Sequence, residues 1–339
     1  MAGAGKTFSA VVVVSALALA AAVFAAARFG SYLSAPADPA GRTVVVDIPQ
    51  GESFMATARI LNKAGLLARP GWFRLYARLT GQDHRIKAGR YSLSTADSPA
   101  RILAALVAGK GLLNRITVIE GWTVAEVARA LEKGGFAKAS DILALARDPG
   151  FARKLGIEAP GLEGYLFPDT YYFLKEATAE HILATLVRRF KEKFSPEMAE
   201  RARRMGLSIQ QVVILASMIE KETGDKAEYP VIASVFLNRL ARNMRLQSDP
   251  TVIYGMGDFS GNLTRADLHR DSPYNTYTRK GLPAGPIANP GAGALYGALH
   301  PADTDYLYFV SRNDGTHRFS ETLAQHNEAV ERYQIDRSP

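Results

Sequence analysis

Residues 208–223 read SIQQVVILASMIEKET. Ser208 supplies an N-cap and the second half is almost wholly apolar, so the stretch predicts a helix buried on most sides. Such a helix needs others around it. Thr178–Lys193, Pro196–Met205 and Pro230–Asn243 each predict one, so the chain is helix-rich from Thr178 onward. Glu220 shares a face with Val213, Ser217 and Thr223. A carboxyl there is partly desolvated, which raises its pKa and keeps it available as an acid near neutrality. Small Ser217, one turn earlier, leaves room for a substrate. The alternative is that Glu220, Lys221 and Glu222 only mark the exposed end of a buried helix. The segment alone leaves both open.

Downstream of Met244 the motifs SDP, SPYNTY, GLPAGP and ANPG follow in close succession, and long ordered loops on a helical base commonly carry function. Upstream, Asp148-Pro149-Gly150 and Ala159-Pro160-Gly161 punctuate a boundary. Before it lies a weak internal repeat. Val44–Gly51 leads into Phe54, Ala58, Leu61 and Gly65; Arg115–Gly121 leads into Val124, Ala128, Leu131 and Gly135. Each copy reads as strand, Gly turn, amphipathic helix and terminal Gly. Units of this size resemble lysin-motif-like modules, which bind glycans, although many small α+β domains duplicate such a unit without binding anything. Ser34–Gly41 (SAPADPAG) reads as a linker.

Ahead of it, Phe8–Ala27 carries no charge, between Lys6 and Arg28. Its length matches about 30 Å of helix, the thickness of a bilayer's hydrocarbon core. An uncleaved anchor is the expectation; a cleaved signal peptide ending in Ala25-Ala26-Ala27 is the alternative. With one Lys facing one Arg, charge does not set the orientation.

The 339 residues contain no Cys, which excludes a disulfide framework, thiol catalysis and Cys-based zinc. The six His form no HExxH or other close pair, so no metal or cofactor is expected, and phosphate cradles and a GxSxG elbow are missing. The net charge of +8 comes without a dense basic run interleaved with aromatics, so nucleic acid is not an expected partner. Carboxylate chemistry remains.

Contiguous motifs then converge. They are Gly161–Tyr171 (GLEGYLFPDTY), Ala216–Glu222 (ASMIEKE), Ala233–Leu240 (ASVFLNRL), Leu246–Val252 (LQSDPTV), Ser272–Tyr277 (SPYNTY) and Gly281–Gly291 (GLPAGPIANPG). Tyr308–Val310 and Gly315–Phe319 follow. In order and spacing these resemble the membrane-anchored endolytic murein transglycosylase family (YceG-like), from the anchor to about Glu331. Ala284 stands where many members have a second Pro.

The resemblance implies an α+β protein: a transmembrane helix with its cytoplasmic tip (1–33), a linker (34–41), a duplicated lysin-motif-like module (42–150) and a helix-rich catalytic domain with long ordered loops (151–335). It implies cleavage of peptidoglycan strands between N-acetylmuramic acid and N-acetylglucosamine, leaving 1,6-anhydro ends, to terminate or trim nascent strands. Glu220 would be the single catalytic carboxyl, acid first and base second. Gln247, Ser248, Asp249, Tyr274, Asn275 and Tyr277 would contact substrate, while Glu163 and Asp169 could tie the hinge loop to the catalytic helices. The body would lie outside the cytoplasmic (inner) membrane with the N-terminus inside, and peptidoglycan synthases would be possible partners. Two other functions stay open: a glycan-binding scaffold, and a hydrolase of the same bond with Glu222 or Asp249 as second carboxylate.

Overall fold

The computed structural model describes residues 4–175, 177–257, 259 and 261–335, with side chains from residue 14 onward. Met1–Gly3 of the expected tip and the side chain of Lys6 lie outside the described residues. The protein is α+β and dominated by helices, with small antiparallel sheets, and it divides into two units, residues 1–114 and 115–339.

The first unit begins with α1 (Ala4–Ser34), whose stretch Val14–Ser34 is long and apolar enough to cross a membrane and is not buried by the rest of the protein. β1 (Thr43–Ile48) follows, then α2 (Phe54–Lys63), capped by Ser53, and α3 (Pro70–Leu79). β2 (Gly89–Ser94) pairs antiparallel with β1 in the register Thr43↔Ser94 to Ile48↔Gly89. α4 (Pro99–Ala108) starts at the Ser98 cap with Pro99 in its first turn, where a missing N–H costs nothing. β3 (Leu112–Thr117) then pairs with β2 through Arg90↔Leu113. Leu61, Leu66, Phe73, Tyr91, Ile102 and Leu106 make the core between sheet and helices.

The second unit opens with a Gly turn and α5 (Val124–Lys133), then α6 (Ala139–Ala146), α7 (Pro149–Lys154) and β4 (Thr170–Phe173). α8 (Ala179–Lys193), α9 (Pro196–Arg204), α10 (Ile209–Glu222) and α11 (Tyr229–Ala241) fall within a residue or two of the ranges expected from apolar spacing and caps. The stretch read as loops carries α12 (Asp249–Met256), α13 (Arg265–His269) and α14 (Ala292–Leu299). Pro250 and Pro290 stand at or before the first turns of α12 and α14, where proline starts a helix instead of breaking it. β5 (Tyr308–Ser311) and β6 (His317–Ser320) form a hairpin, followed by α15 (Leu323–Val330).

The two stretches read as a repeat share local features. Gly51 and Gly121 have φ of 81° and 78°, Gly65 and Gly135 have 77° and 71°, and Ser53 and Thr123 cap ten-residue helices. The second stretch contributes Ile116, Val118, Val127 and Leu131 to the core of the second unit. α10 runs through that core with Val212 to Ile219 buried, so beyond Gln211 a polar side chain next reaches a surface in the last turn.

Candidate active site

Glu220 sits in that last turn, half-buried. The Tyr229 hydroxyl donates to its Oε1 at 2.9 Å and the Gly291 backbone N–H donates to its Oε2 at 2.8 Å. Each donor has a local reason to be there. Tyr229 opens α11 ahead of Pro230, and α14 passes close beside it because Gly297 has no side chain. A Cβ on Gly297 would lie 2.7 Å from the Cβ of Tyr229. Gly291 is the N-cap of α14, so its N–H lies at the positive end of that helix.

Burial pushes the Glu220 carboxyl above its ordinary pKa; the Gly291 N–H and the Tyr229 hydroxyl pull it down, Glu120 adds an upward push and Lys226 a downward one. The net shift is upward, in the direction of the protonated acid, while two donors hold both oxygens and steady the carboxylate once the proton has left.

A second carboxylate borders the site. Glu120 lies in the turn before α5 and accepts from Lys226 Nζ at 2.6 Å. A Cβ at Gly291 would fall 2.1 Å from Oε1 of Glu120, so glycine there admits Glu120 beside the N–H that holds Glu220. The turn is clasped to the loop before α14: Gly121 N–H donates to Asn289 O (3.0 Å), and Asn289 N–H and Nδ2 both donate to Trp122 O (2.8 Å each). Asn289 Oδ1 accepts from Leu166 N–H at 2.9 Å.

Ser217 does not leave the space expected of it. It is fully buried, its hydroxyl donating to Ile214 O (2.7 Å) and accepting from Ile287 N–H (3.0 Å). The loop of residues 281–291 fills the gap and delivers Gly291 to Glu220.

The residues expected to contact substrate form a neighbouring group reached through Glu222. That carboxyl is buried, which raises its pKa to about 7, and it accepts from the hydroxyl of Ser248. Ser248 is buried, with its N–H on Thr276 Oγ1 at 2.9 Å. Gln247 is exposed with a φ of 53°, and the Tyr277 hydroxyl donates to Asp249 at 2.5 Å. Buried Asn275 braces its own loop, donating to Leu268 O (3.1 Å) and Arg270 O (2.7 Å) and accepting from Tyr277 N–H (2.8 Å). Tyr274 packs edge-on against Tyr254 with ring centres 4.8 Å apart and, with Arg279, Lys280 and Leu282, lines an open cavity of about 410 Å³.

Glu163 and Asp169 act in the framework. Glu163 accepts from Val124 N–H (3.0 Å) at the start of α5 and from the Tyr254 hydroxyl (3.0 Å), and burial lifts its pKa to about 7. Asp169 accepts from Arg189 Nε at 2.7 Å.

Tyr229, Gly291, Glu120, Lys226 and Arg239 were not singled out from sequence. Arg239, in the ASVFLNRL motif, is buried and donates to the carbonyls of Leu307 (2.6 Å), Leu246 (2.8 Å) and Arg245 (3.2 Å), shaping the approach to Gln247. Its signal was a charge on the apolar face of a predicted helix. Nothing local marks the others, since Gly291 stands 71 residues from Glu220.

The chain matches the model of the YceG-like family over residues 46–332. It is 35% identical over 325 residues to a Bacillus subtilis (strain 168) protein named endolytic murein transglycosylase, covering 90% of this chain and 89% of that one. A Streptococcus pneumoniae protein of the same name is 30% identical over 299 residues, covering 79% of this chain. The chain spans about half the length of that streptococcal relative (54%). A crystal structure of a yceG-like protein from Listeria monocytogenes superposes with a TM-score of 0.60 at 33% identity, covering 84% of this chain and 98% of that one. With the match running from the first strand to the last helix, the chain belongs to the YceG-like family.

Proposed function

We propose that this protein is an endolytic murein transglycosylase, a lyase that cleaves the bond between N-acetylmuramic acid and N-acetylglucosamine in peptidoglycan strands. The observation that carries the reading is Glu220: one half-buried carboxyl, biased toward its protonated form and gripped at both oxygens. The names of the relatives at 35% and 30% identity point to the same reaction.

Glu220 gives its proton to the glycosidic oxygen as the bond from that oxygen to the muramyl anomeric carbon breaks. The muramyl 6-hydroxyl oxygen bonds to the same carbon, and its proton passes to Glu220. The product is a 1,6-anhydro end, no water is consumed, and the carboxyl returns to its starting state. Tyr229 and Gly291 stabilise the intervening carboxylate.

Gln247, Asp249, Tyr274 and Tyr277 offer polar groups and ring faces for sugars, with Ser248 and Asn275 holding their loops in shape. Residues 42–150 serve as a lysin-motif-like module and 151–335 as the catalytic domain, the second copy of the module's strand–helix pattern supplying the turn that carries Glu120. α1 (with its tip, residues 1–33) anchors the chain across the cytoplasmic membrane through a short linker (34–41), N-terminus inside and body outside, within reach of wall synthases.

The test is digestion of purified peptidoglycan by the full chain in detergent micelles, followed by mass analysis of the ends. Anhydro-muramyl ends that disappear in Glu220→Gln support the proposal. Reducing ends make the protein a hydrolase, and uncut strands bound by the wild type make it a scaffold.

A further inference from the structure

α3 has two apolar faces where a helix on the rim of a small domain needs one. Phe73 and Ala77 point inward and are fully buried, Phe73 stacking on Phe54 with ring centres 5.4 Å apart. On the other side Leu75 is 47% exposed and Leu79 70% exposed. With half-buried Trp72 they recur at i, i+3 and i+7, so the three share one stripe along the helix. Arg74 and Arg78, both exposed, flank that stripe.

The stripe starts where α1 leaves its apolar run. Arg28 ends the uncharged segment, and the next aromatic residues, Phe29 and Tyr32, meet Trp72 edge-on at 5.8 and 5.5 Å. The Tyr32 hydroxyl donates to Arg69 O at 3.0 Å, and the Arg69 guanidinium lies 4.5 Å from the centre of the Trp72 ring. Aromatic rings with arginines, at the end of a spanning helix, are the composition of a membrane–water interface. Two exposed leucines continuing from that level, rimmed by cations, match an amphipathic helix lying in the headgroup layer.

We infer that α3 is a second membrane contact: it lies on the outer leaflet beside the anchor, with Trp72, Leu75 and Leu79 at the acyl boundary and Arg74 and Arg78 on anionic headgroups. The inference rests on reading α1 as a membrane anchor. The occupant is lipid rather than protein because the stripe is continuous with the helix that enters lipid and its rim is cationic. Its consequence is a first unit held against the bilayer on two elements rather than swinging on one.

The chain's lack of cysteine permits a clean test. Single variants Leu75→Cys, Leu79→Cys, Val23→Cys and Leu323→Cys of the full chain are nitroxide-labelled and reconstituted in vesicles of phosphatidylethanolamine and phosphatidylglycerol. Collision with oxygen reports lipid, and collision with a nickel chelate reports water. The expected result is a label at 75 and 79 that is shielded from nickel and open to oxygen, like 23 and unlike 323. Adding Arg74→Gln and Arg78→Gln should shift the docked population of the label at 79 toward water by roughly fivefold per arginine. Nickel access at 75 and 79 equal to that at 323, with 23 still in lipid, overturns the inference. Shielding that comes with spin–spin broadening between copies overturns it in favour of self-association. Nickel access at 23 as well refutes the anchor itself.

Discussion

Glu120→Gln removes a charge while keeping the shape of the side chain, and it should move the pH limit of the enzyme without unmaking the site. Glu120 and Glu220 border the same residue, one against the Cα of Gly291 and one on its N–H, which holds the two carboxylates within roughly 7 Å of each other. Two unit charges at that separation interact by about 0.6 kcal/mol in water and about 2 kcal/mol at an effective dielectric near 20. Lys226 sits on Glu120 and its side chain is 61% exposed, so solvent and the counter-charge reduce the effect toward the lower figure. A general acid must start protonated, so activity falls as pH rises through its pKa. Losing the negative charge of Glu120 lowers that pKa and moves the alkaline limb of kcat/KM down by about half a pH unit. Lys226→Met leaves Glu120 unpaired and should move the limb the other way. Tyr229, the titratable side chain bonded to Glu220, is unchanged in both variants. The assay is release of anhydro-muramyl ends by the full chain between about pH 5 and 9. Limbs that shift in the same direction in the two variants, or a loss of rate with no shift, would refute the electrostatic argument.

Three further outcomes can be checked. Burial raises the pKa of both Glu163 and Glu222 to about 7, so each binds a proton in the folded state that the unfolded chain has lost. Stability therefore falls as pH rises from the ordinary carboxyl pKa to about 7 and then levels; Glu222→Gln should flatten part of that decline in Tm measured by calorimetry. Gly297→Ala forces a Cβ to 2.7 Å from that of Tyr229 and 3.1 Å from its carbonyl carbon, so α11 and α14 must part, at a cost of about 1–3 kcal/mol in urea unfolding and with a lower kcat as Tyr229 leaves Glu220. Arg239→Met strips donors from the carbonyls of Leu246 and Leu307 and should cost about 2–4 kcal/mol; Arg239→Lys should restore little, because an ammonium cannot reach the three carbonyls at once.

What could be read from sequence follows the range of the forces concerned. α8 to α11 were legible because apolar spacing and the caps Thr178, Ser195 and Ser208 act within one turn. The half-buried setting of Glu220 was one of the two readings that the end of an apolar helix left open; the packing of α11 and α14 against it decides between them. The same logic misjudged Ser217, because a small residue marks where something packs closely without saying whether it is ligand or protein; here it is the backbone of Ile287. The stretch after Met244 was read as ordered loops because proline signals helix starts as well as breaks; it carries α12, α13 and α14. The partners that hold Glu220 were invisible. Gly291 and Tyr229 act through a backbone N–H and a hydroxyl brought in by the packing of α14 and α11, and no periodicity encodes that.

The clasp at Asn289 bears on when the enzyme becomes dangerous. Its bonds to Trp122 and Leu166 close chain separations of 167 and 123 residues, and contacts that distant are among the slowest to form. α10 can be helical early, with Glu220 at its tip, yet its second donor arrives only when the loop before α14 has been locked onto a turn made much earlier in synthesis. A chain still folding thus carries an unarmed carboxyl. Competence to cut the wall coincides with completion of the fold, a timing safeguard that needs no inhibitor.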